Sequence, residues 1–305
     1  MIAVPTQNVV QLACGFFINF VAFNTQGFIE ESVIDSVSRD GSINKHAGYY
    51  SLAIIYAFYT VGNLTAAQMV DVLTPKWAMC IGALCYGSFQ FCGPAKAHIS
   101  LKTAPKRPVA ECIYPTCVSF TRQIGYNTKG LMALNLICIG IGQVSAGILL
   151  GTLGDKTRKL GRDYLILFAT LIHVGAYILC ALNFPADASL TKTDESGMFW
   201  KPNKNIALAI GVLLGFADCC WNTQIMSLLC ETYPEKSAQA FAIFKFYESA
   251  LSCATFIFSS LVSLYWLLGT LSTFAVLALI SFFIVERERV EIETTTDSVE
   301  IDVKI

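Results

Sequence analysis

Apolar residues run along this chain in long blocks separated by short polar stretches, and the blocks have the length of membrane spans. A hydrocarbon core of roughly 30 Å takes about 20 helical residues to cross. Eight blocks meet or approach that length: 8–28, 47–70, 77–92, 130–153, 164–184, 205–231, 238–262 and 266–285. The third is the shortest, running from Trp77 to Cys92, with Pro94 and Lys96 behind it. The first lacks a positive n-region and a small-residue cleavage site and carries Asn19 and Asn24, so it is read as a span rather than a cleaved signal. The pattern predicts an all-α, polytopic membrane protein.

Composition agrees. The 305 residues are 54 % hydrophobic and only 14 % charged, with a mean hydropathy of +0.56. A soluble domain carries roughly 25 % charge, so a soluble protein of this size could not cover its surface. A disordered chain is excluded by the amount of apolar surface. A net charge of −1 gives no footing for nucleic acid, and none is expected as a partner. Most of the twelve cysteines lie inside apolar blocks without C-x-x-C spacing, and there are three histidines. The cysteines are read as small apolar residues, and neither a metal nor a cofactor is expected. No Walker loop, HExxH, GxSxG or kinase motif is present, so no enzyme is expected.

Lys and Arg in short loops set orientation. The strongest cluster, Lys156, Arg158, Lys159 and Arg162, marks a cytoplasmic loop. Alternation then puts both termini in the cytoplasm, and the 29–46 and 185–204 loops on the other side. The segment 93–129 falls outside yet carries Lys96, Lys102, Lys106, Arg107, Arg122 and Lys129. It is expected to be an irregular linker, in which CIYPTCVSFTR (112–122) is too short and too polar to cross. The N-x-[ST] triplet at Asn63 lies inside a span and is no glycosylation site. The acidic tail after 286 is expected to be solvated and disordered.

An internal repeat stands at an offset of 80. Residues 62–76, GNLTAAQMVDVLTPK, match 142–156, GQVSAGILLGTLGDK, with Gly62, Ala66, Leu73 and Lys76 meeting Gly142, Ala146, Leu153 and Lys156. The second copy continues as GTLGDKTRKLGR, and Gly151, Leu153, Asp155, Lys156, Lys159, Gly161 and Arg162, with Arg158 among them, fall into the order G-x-L-x-D-[RK]-x-x-[RK]-x-G-R. This resembles the cytoplasmic loop signature of the major facilitator superfamily. In physical terms, Asp155 can meet a helix N-terminus or an arginine and latch one access state, while the glycines allow a tight turn.

Four further stretches narrow the resemblance: VAFNTQGFIEESVI (21–34), GYYSLAIIYAFYTVGNL (48–64), GFADCCWNTQIMSLL (215–229) and SAQAFAIFKFYES (237–249). Together they resemble the Unc-93-like family of that superfamily, most of all its orphan facilitator-domain members. The resemblance covers about 1–90 and 111–285 and fails over 91–110. It implies a facilitator-like helical bundle with about 8 spans of an original 12. Residues 1–92 would then be the remnant of helices 1–3. Residues 93–129 would be the linker with a remnant of helix 7, residues 130–285 helices 8–12, and 286–305 a cytoplasmic tail. It also implies a regulatory or scaffold role in a membrane, since the family includes a regulatory subunit associated with a potassium channel and a receptor-trafficking chaperone. The implied partners are the lipid bilayer and another membrane protein such as an ion channel. Two alternatives stand beside this: a secondary transporter of a small solute, and a shortened inactive isoform or faulty gene model.

Polar residues within spans mark candidate sites, because ionisable groups at bilayer depth face a cavity or a partner. Asp218 lies near the middle of 205–231, with Asn222 and Gln224 beyond it. Lys245 and Glu248 stand three residues apart on 238–262 and share a face. Counting from the short loop between the spans, Glu248 matches Asp218 in depth and Lys245 comes nearer Asn222 and Gln224. An intramembrane polar pocket is one reading of these five residues. A structural ion pair or a snorkelling lysine is the other. His173 is read as a hydrogen-bonded interior residue. The small residues Gly142, Ala146, Gly147, Gly151, Gly211 and Gly215 are read as packing faces.

Overall fold

The computed structural model describes residues 47–99, 109–124, 128–152, 161–190 and 192–303. The expected span 8–28 and the loop after it lie outside the described residues. In chain order α1 is Ala47–Ile99, α2 Val109–Phe120, α3 Thr128–Thr152, α4 Arg162–Asn183, α5 Lys204–Thr232, α6 Ser237–Ser259 and α7 Leu264–Val303. Short 3-10 turns follow α2 at Arg122–Ile124 and α4 at Ala186–Ser189. Among the described residues five stretches are long and apolar enough to cross a membrane: Gly130–Thr152, Arg162–Asn183, Lys204–Thr232, Ser237–Ser259 and Leu264–Arg289. This is a polytopic helical membrane protein. The expected spans 47–70 and 77–92 lie within α1 and are not among those five.

The chain divides into two compact units, one holding α1 and α6, the other holding α2 to α5 and α7. In the first, α1 is broken at Thr74, whose φ of 64° and ψ of 153° are not helical. Pro75 follows, and the residue before a proline is pushed out of helix. The break falls between the two segments that the sequence pattern separates. It also stands at the repeat position equivalent to 154, just beyond the end of α3. Helix continues through Ile99, which corrects the expectation that the chain is irregular from 93. Ala95, Lys96 and Ala97 are strong helix formers and carry it past Pro94.

α1 and α6 meet through small and hydroxyl-bearing residues, as membrane helices do. The Thr60 hydroxyl donates to Ser249 Oγ at 2.9 Å, and Asn63 Nδ2 donates to the same oxygen at 3.5 Å. Farther along, the Cys253 thiol donates to the Ala53 carbonyl at 3.1 Å. The Tyr56 and Phe256 rings lie 5.5 Å apart. Ser249 and Phe256 are fully buried.

In the second unit, α3 and α5 approach until backbones touch. A Cβ on Gly142 would strike the Val212 carbonyl oxygen, one on Gly215 the Ile139 carbonyl oxygen, and one on Gly211 the Asn135 side chain. Gly147 and Gly151 have open space where a Cβ would stand, so only part of the small-residue ladder is a contact face. Ala146 and Leu150 of α3 pack with Ala169 of α4 and Cys220 of α5. Ile166, Leu228 and Phe282 bring α4, α5 and α7 together.

One expectation is corrected in this unit, that of the tail. The segment 112–122, read from sequence as a remnant of helix 7, is mostly helix. Tyr114, Cys117 and Val118 of α2 are buried, the Tyr114 hydroxyl donates to the Ala207 carbonyl at 2.6 Å, and its ring meets Phe184 edge-on at 5.7 Å. Val109, Ile113, Tyr114, Cys117 and Val118 recur at helical spacing, so the element has an apolar stripe although it is too short to span. The correction concerns the tail. α7 stays helical to Val303, and Glu286 and Arg289 are packed against the unit rather than solvated.

Candidate functional site

The boundaries of α4 and α5 set the depth of their polar residues. Asn183 ends α4, Phe184 closes it with its N–H donating to Cys180 O, and Pro185 follows. α5 starts where the Asn203 side chain accepts from the Asn205 N–H at 2.8 Å, after Pro202. From there, Asp218 comes near mid-helix.

The Asp218 carboxylate is held from two sides. Asn222 Nδ2, one turn on, donates to Asp218 Oδ1 at 3.0 Å and to the Asp218 carbonyl at 3.0 Å. Gln143 Nε2 of α3 donates to Asp218 Oδ2 at 3.5 Å. Gln143 adjoins Gly142, so the close approach of α3 to α5 is what delivers the amide to the acid. The sequence pattern places Gln143 among ordinary interhelical hydrogen bonders and misses this partnership. Its signal was there, in the neighbouring glycine. Asp218 and Asn222 are half-buried, while Gln224 is buried on another face of α5. His173 stacks on Tyr177 one turn away, with ring centroids 5.8 Å apart.

Lys245 and Glu248 belong to the first unit, where they pair with each other at 2.6 Å. Lys245 also lies 5.3 Å from the Phe244 ring centroid. Ser249 and Ser252 donate back to the Lys245 and Glu248 carbonyls. Four of the five candidate residues therefore form two local sets, Asp218 with Asn222 in one unit and Lys245 with Glu248 in the other, and Gln224 belongs to neither.

Of the loop signature, Gly151 lies exposed near the end of α3, and Asp155, Lys156 and Arg158 lie outside the described residues. Gly161 precedes α4 at φ 92°, a left-handed conformation that glycine adopts without strain. Arg162 then opens α4 and anchors an ion cluster. Its guanidinium contacts Glu231 of α5, Glu286 of α7 at 3.5 Å and the Ser227 hydroxyl at 3.4 Å. Arg289 closes the set, at 2.9 Å from Glu286 and 3.7 Å from Glu231. A cation at a helix N-terminus and an anion at a C-terminus are each unfavourable toward their own helix dipole. Arg162 and Glu231 occupy just such ends, and pairing them cancels both penalties. The cluster stands at the same end of α4, α5 and α7 as the Ile166–Leu228–Phe282 contact, with the Trp221 and Phe282 rings 6.1 Å apart.

Comparison with known proteins decides the family. The family model described as "Ion channel regulatory protein UNC-93" matches residues 39–93 and 110–283, three quarters of the chain. The chain belongs to the UNC-93 family. The gap in the match, 94–109, falls where the resemblance read from sequence also fails. UNC93-like protein MFSD11 of Xenopus laevis is 38 % identical over 177 residues, covering 57 % of this chain and 39 % of the relative. The Xenopus tropicalis protein of the same name is 37 % identical over 176 residues, with the same coverage. The chain thus spans about two fifths of the length of these relatives. No solved structure matches it. As an UNC-93 family member it is a multi-pass membrane protein of facilitator type.

Proposed function

We propose that this UNC-93 family member is a regulatory or scaffold subunit that acts by binding another membrane protein, with a potassium channel as the partner class. The observation that carries the reading is the family match over both stretches, 39–93 and 110–283, to ion channel regulatory proteins. The second unit supports it. α3 and α5 are in close contact at three glycines, Asp218 is met by Asn222 and Gln143, and the Arg162 cluster is charge-balanced. Such a body is suited to presenting a fixed outer surface. In this reading both termini lie in the cytoplasm. The test is co-expression of the chain with potassium channel subunits in oocytes, recording current and channel surface density together. A change in current or surface density that depends on the chain supports the reading, and its absence across channel classes overturns it.

One observation favours a second reading, a transporter of a small polar solute. A half-buried carboxylate near the middle of a spanning helix is costly unless it serves a cavity or partner. In that case Asp218, with Asn222 and Gln224 of the same helix, is the solute-facing set. Asp218→Asn would then abolish solute-dependent uptake in vesicles, whereas a regulatory subunit would leave channel modulation intact in the same variant.

A further inference from the structure

The connection between α4 and α5 carries exposed apolar side chains on a backbone that is pinned. Met198, Phe199 and Trp200 are 60, 71 and 41 % exposed. On one side of them Gly197 is buried so closely that a Cβ there would stand 2.6 Å from the Leu182 carbonyl oxygen. On the other, Pro202 is buried, and the Asn203 N–H donates to Asn183 Oδ1 at 2.8 Å while Asn183 Nδ2 donates to the Asn203 carbonyl at 3.3 Å. Upstream, the Thr193 N–H donates to the Phe120 carbonyl at 3.0 Å, and the Arg122 N–H donates to the Thr193 carbonyl at 3.1 Å. The three large side chains are therefore held outward by the loop itself.

Their level in the molecule says what they meet. Asn183 and Lys204 are the ends of two membrane-spanning helices, so the loop lies where those helices leave the hydrocarbon. The Tyr265 hydroxyl donates to the Phe184 carbonyl at 3.2 Å, which places the start of α7, and the 73 % exposed Trp266, at this same end. Exposed Lys201 and Lys204 flank the triad. At the opposite end, Tyr164 and Tyr233 are exposed. From Tyr164 to Asn183 along α4 is about 30 Å, the thickness of a hydrocarbon core. Tryptophan and tyrosine concentrate at the two membrane–water interfaces, where an apolar body and a polar tip are both satisfied.

We propose that the 197–201 loop is a lipid-interface anchor, with Met198, Phe199 and Trp200 seated at the boundary between headgroups and acyl chains and Lys201 and Lys204 reaching the phosphates. The loop then fixes the depth of α4 and α5 in the bilayer, and Trp266 marks the same plane on α7. The partner is the lipid surface and not a protein, because the triad stands at the level where α4 and α5 leave the hydrocarbon and is flanked by exposed Lys201 and Lys204.

The test uses the full chain in phosphatidylcholine vesicles. The emission lost in Trp200→Phe isolates Trp200 from Trp77, Trp221 and Trp266. That component is expected to be quenched several-fold more by lipid brominated near the headgroup than by lipid brominated near the chain end, and to be shielded from aqueous iodide. Introducing Phe199→Trp into the Trp200→Phe protein should restore a component with the same pattern. Quenching of either component by iodide, with no response to brominated lipid, would overturn the proposal and leave the loop as a water-facing surface for a protein.

Discussion

Replacing Arg162 with methionine tests whether the ion cluster holds three helices together. The substitution keeps most of the side-chain volume and removes one of two cations facing two carboxylates. Two limits bracket the effect. An exposed ion pair contributes about 0.2–1 kcal/mol, and removing one partner of a fully buried pair costs about 3–5 kcal/mol. The Arg162 side chain is 15 % exposed and that of Glu286 9 %, which favours the upper limit. Glu231 is 49 % exposed, and Arg289 still neutralises Glu286 from 2.9 Å, which pulls the value down. The expected loss is about 2 kcal/mol, equivalent to a melting shift of about 5 °C for a unit of this size. Tryptophan fluorescence of the full chain in detergent reads it, because Trp221 packs on Phe282 beside the cluster. Adding Glu231→Gln removes the uncompensated anion and should restore about half of the loss. If Arg162→Met melts with the parent, or the double variant is weaker than the single, the cluster is not a clamp.

Three other outcomes follow from the packing and the charge pattern. Gly215→Leu drives a side chain into the Ile139 backbone and should cost about 3 kcal/mol or more, seen as loss of the monodisperse peak in size-exclusion chromatography, whereas Gly147→Ala enters open space and should leave it unchanged. Ser249→Ala removes the acceptor of both Thr60 and Asn63 and should destabilise the α1–α6 unit by about 1 kcal/mol in a detergent melt, with an unchanged melting temperature counting against the bond. Epitope tags at either terminus and in 156–162 should be reachable only from the cytoplasm, and tags in 29–46 and 185–204 only from the other side. A 156–162 tag on the far side would reverse the topology drawn from Lys156, Arg158, Lys159 and Arg162.

The helices of the second unit were legible because transfer into hydrocarbon is a property of composition and length. The segments 130–153, 164–184 and 205–231 differ from α3, α4 and α5 by two residues or fewer at each end. Pro185, Asn203 and Pro234 stand at the borders as stop and cap signals. What stayed hidden depends on which faces meet. α2 is short and contains Pro115, so its stripe becomes informative only once Tyr114 is seen bonded to Ala207. The tail beyond 285 is acidic and reads as solvated, yet Glu286 and Arg289 find partners on α4 and α5 that no local pattern reveals. The same holds for Gln143. Its role follows from a glycine contact between residues far apart in sequence, Gly142 with Val212 and Gly215 with Ile139, not from its own neighbourhood.

The element that joins these observations is α5. Gly211 and Gly215 seat it against α3, and Asp218 receives Gln143 from that helix one turn farther on. Cys220 touches the α3–α4 core, Leu228 meets both Ile166 and Phe282, and Glu231 ends the helix on Arg162. Successive turns of one helix thus bind α3, α4 and α7, which explains why α5 carries glycines and polar residues at set positions and is still apolar enough to span. Small residues permit the backbone approach, and the approach then brings polar groups within hydrogen-bonding range, where hydrocarbon would otherwise leave them unpaired. A larger side chain at Gly215 would therefore act twice, by steric expulsion of α3 and by withdrawing Gln143 from Asp218. This coupling between glycine and carboxylate is why the α3–α5 contact, rather than any single polar residue, is the structural unit on which the membrane-embedded acid depends.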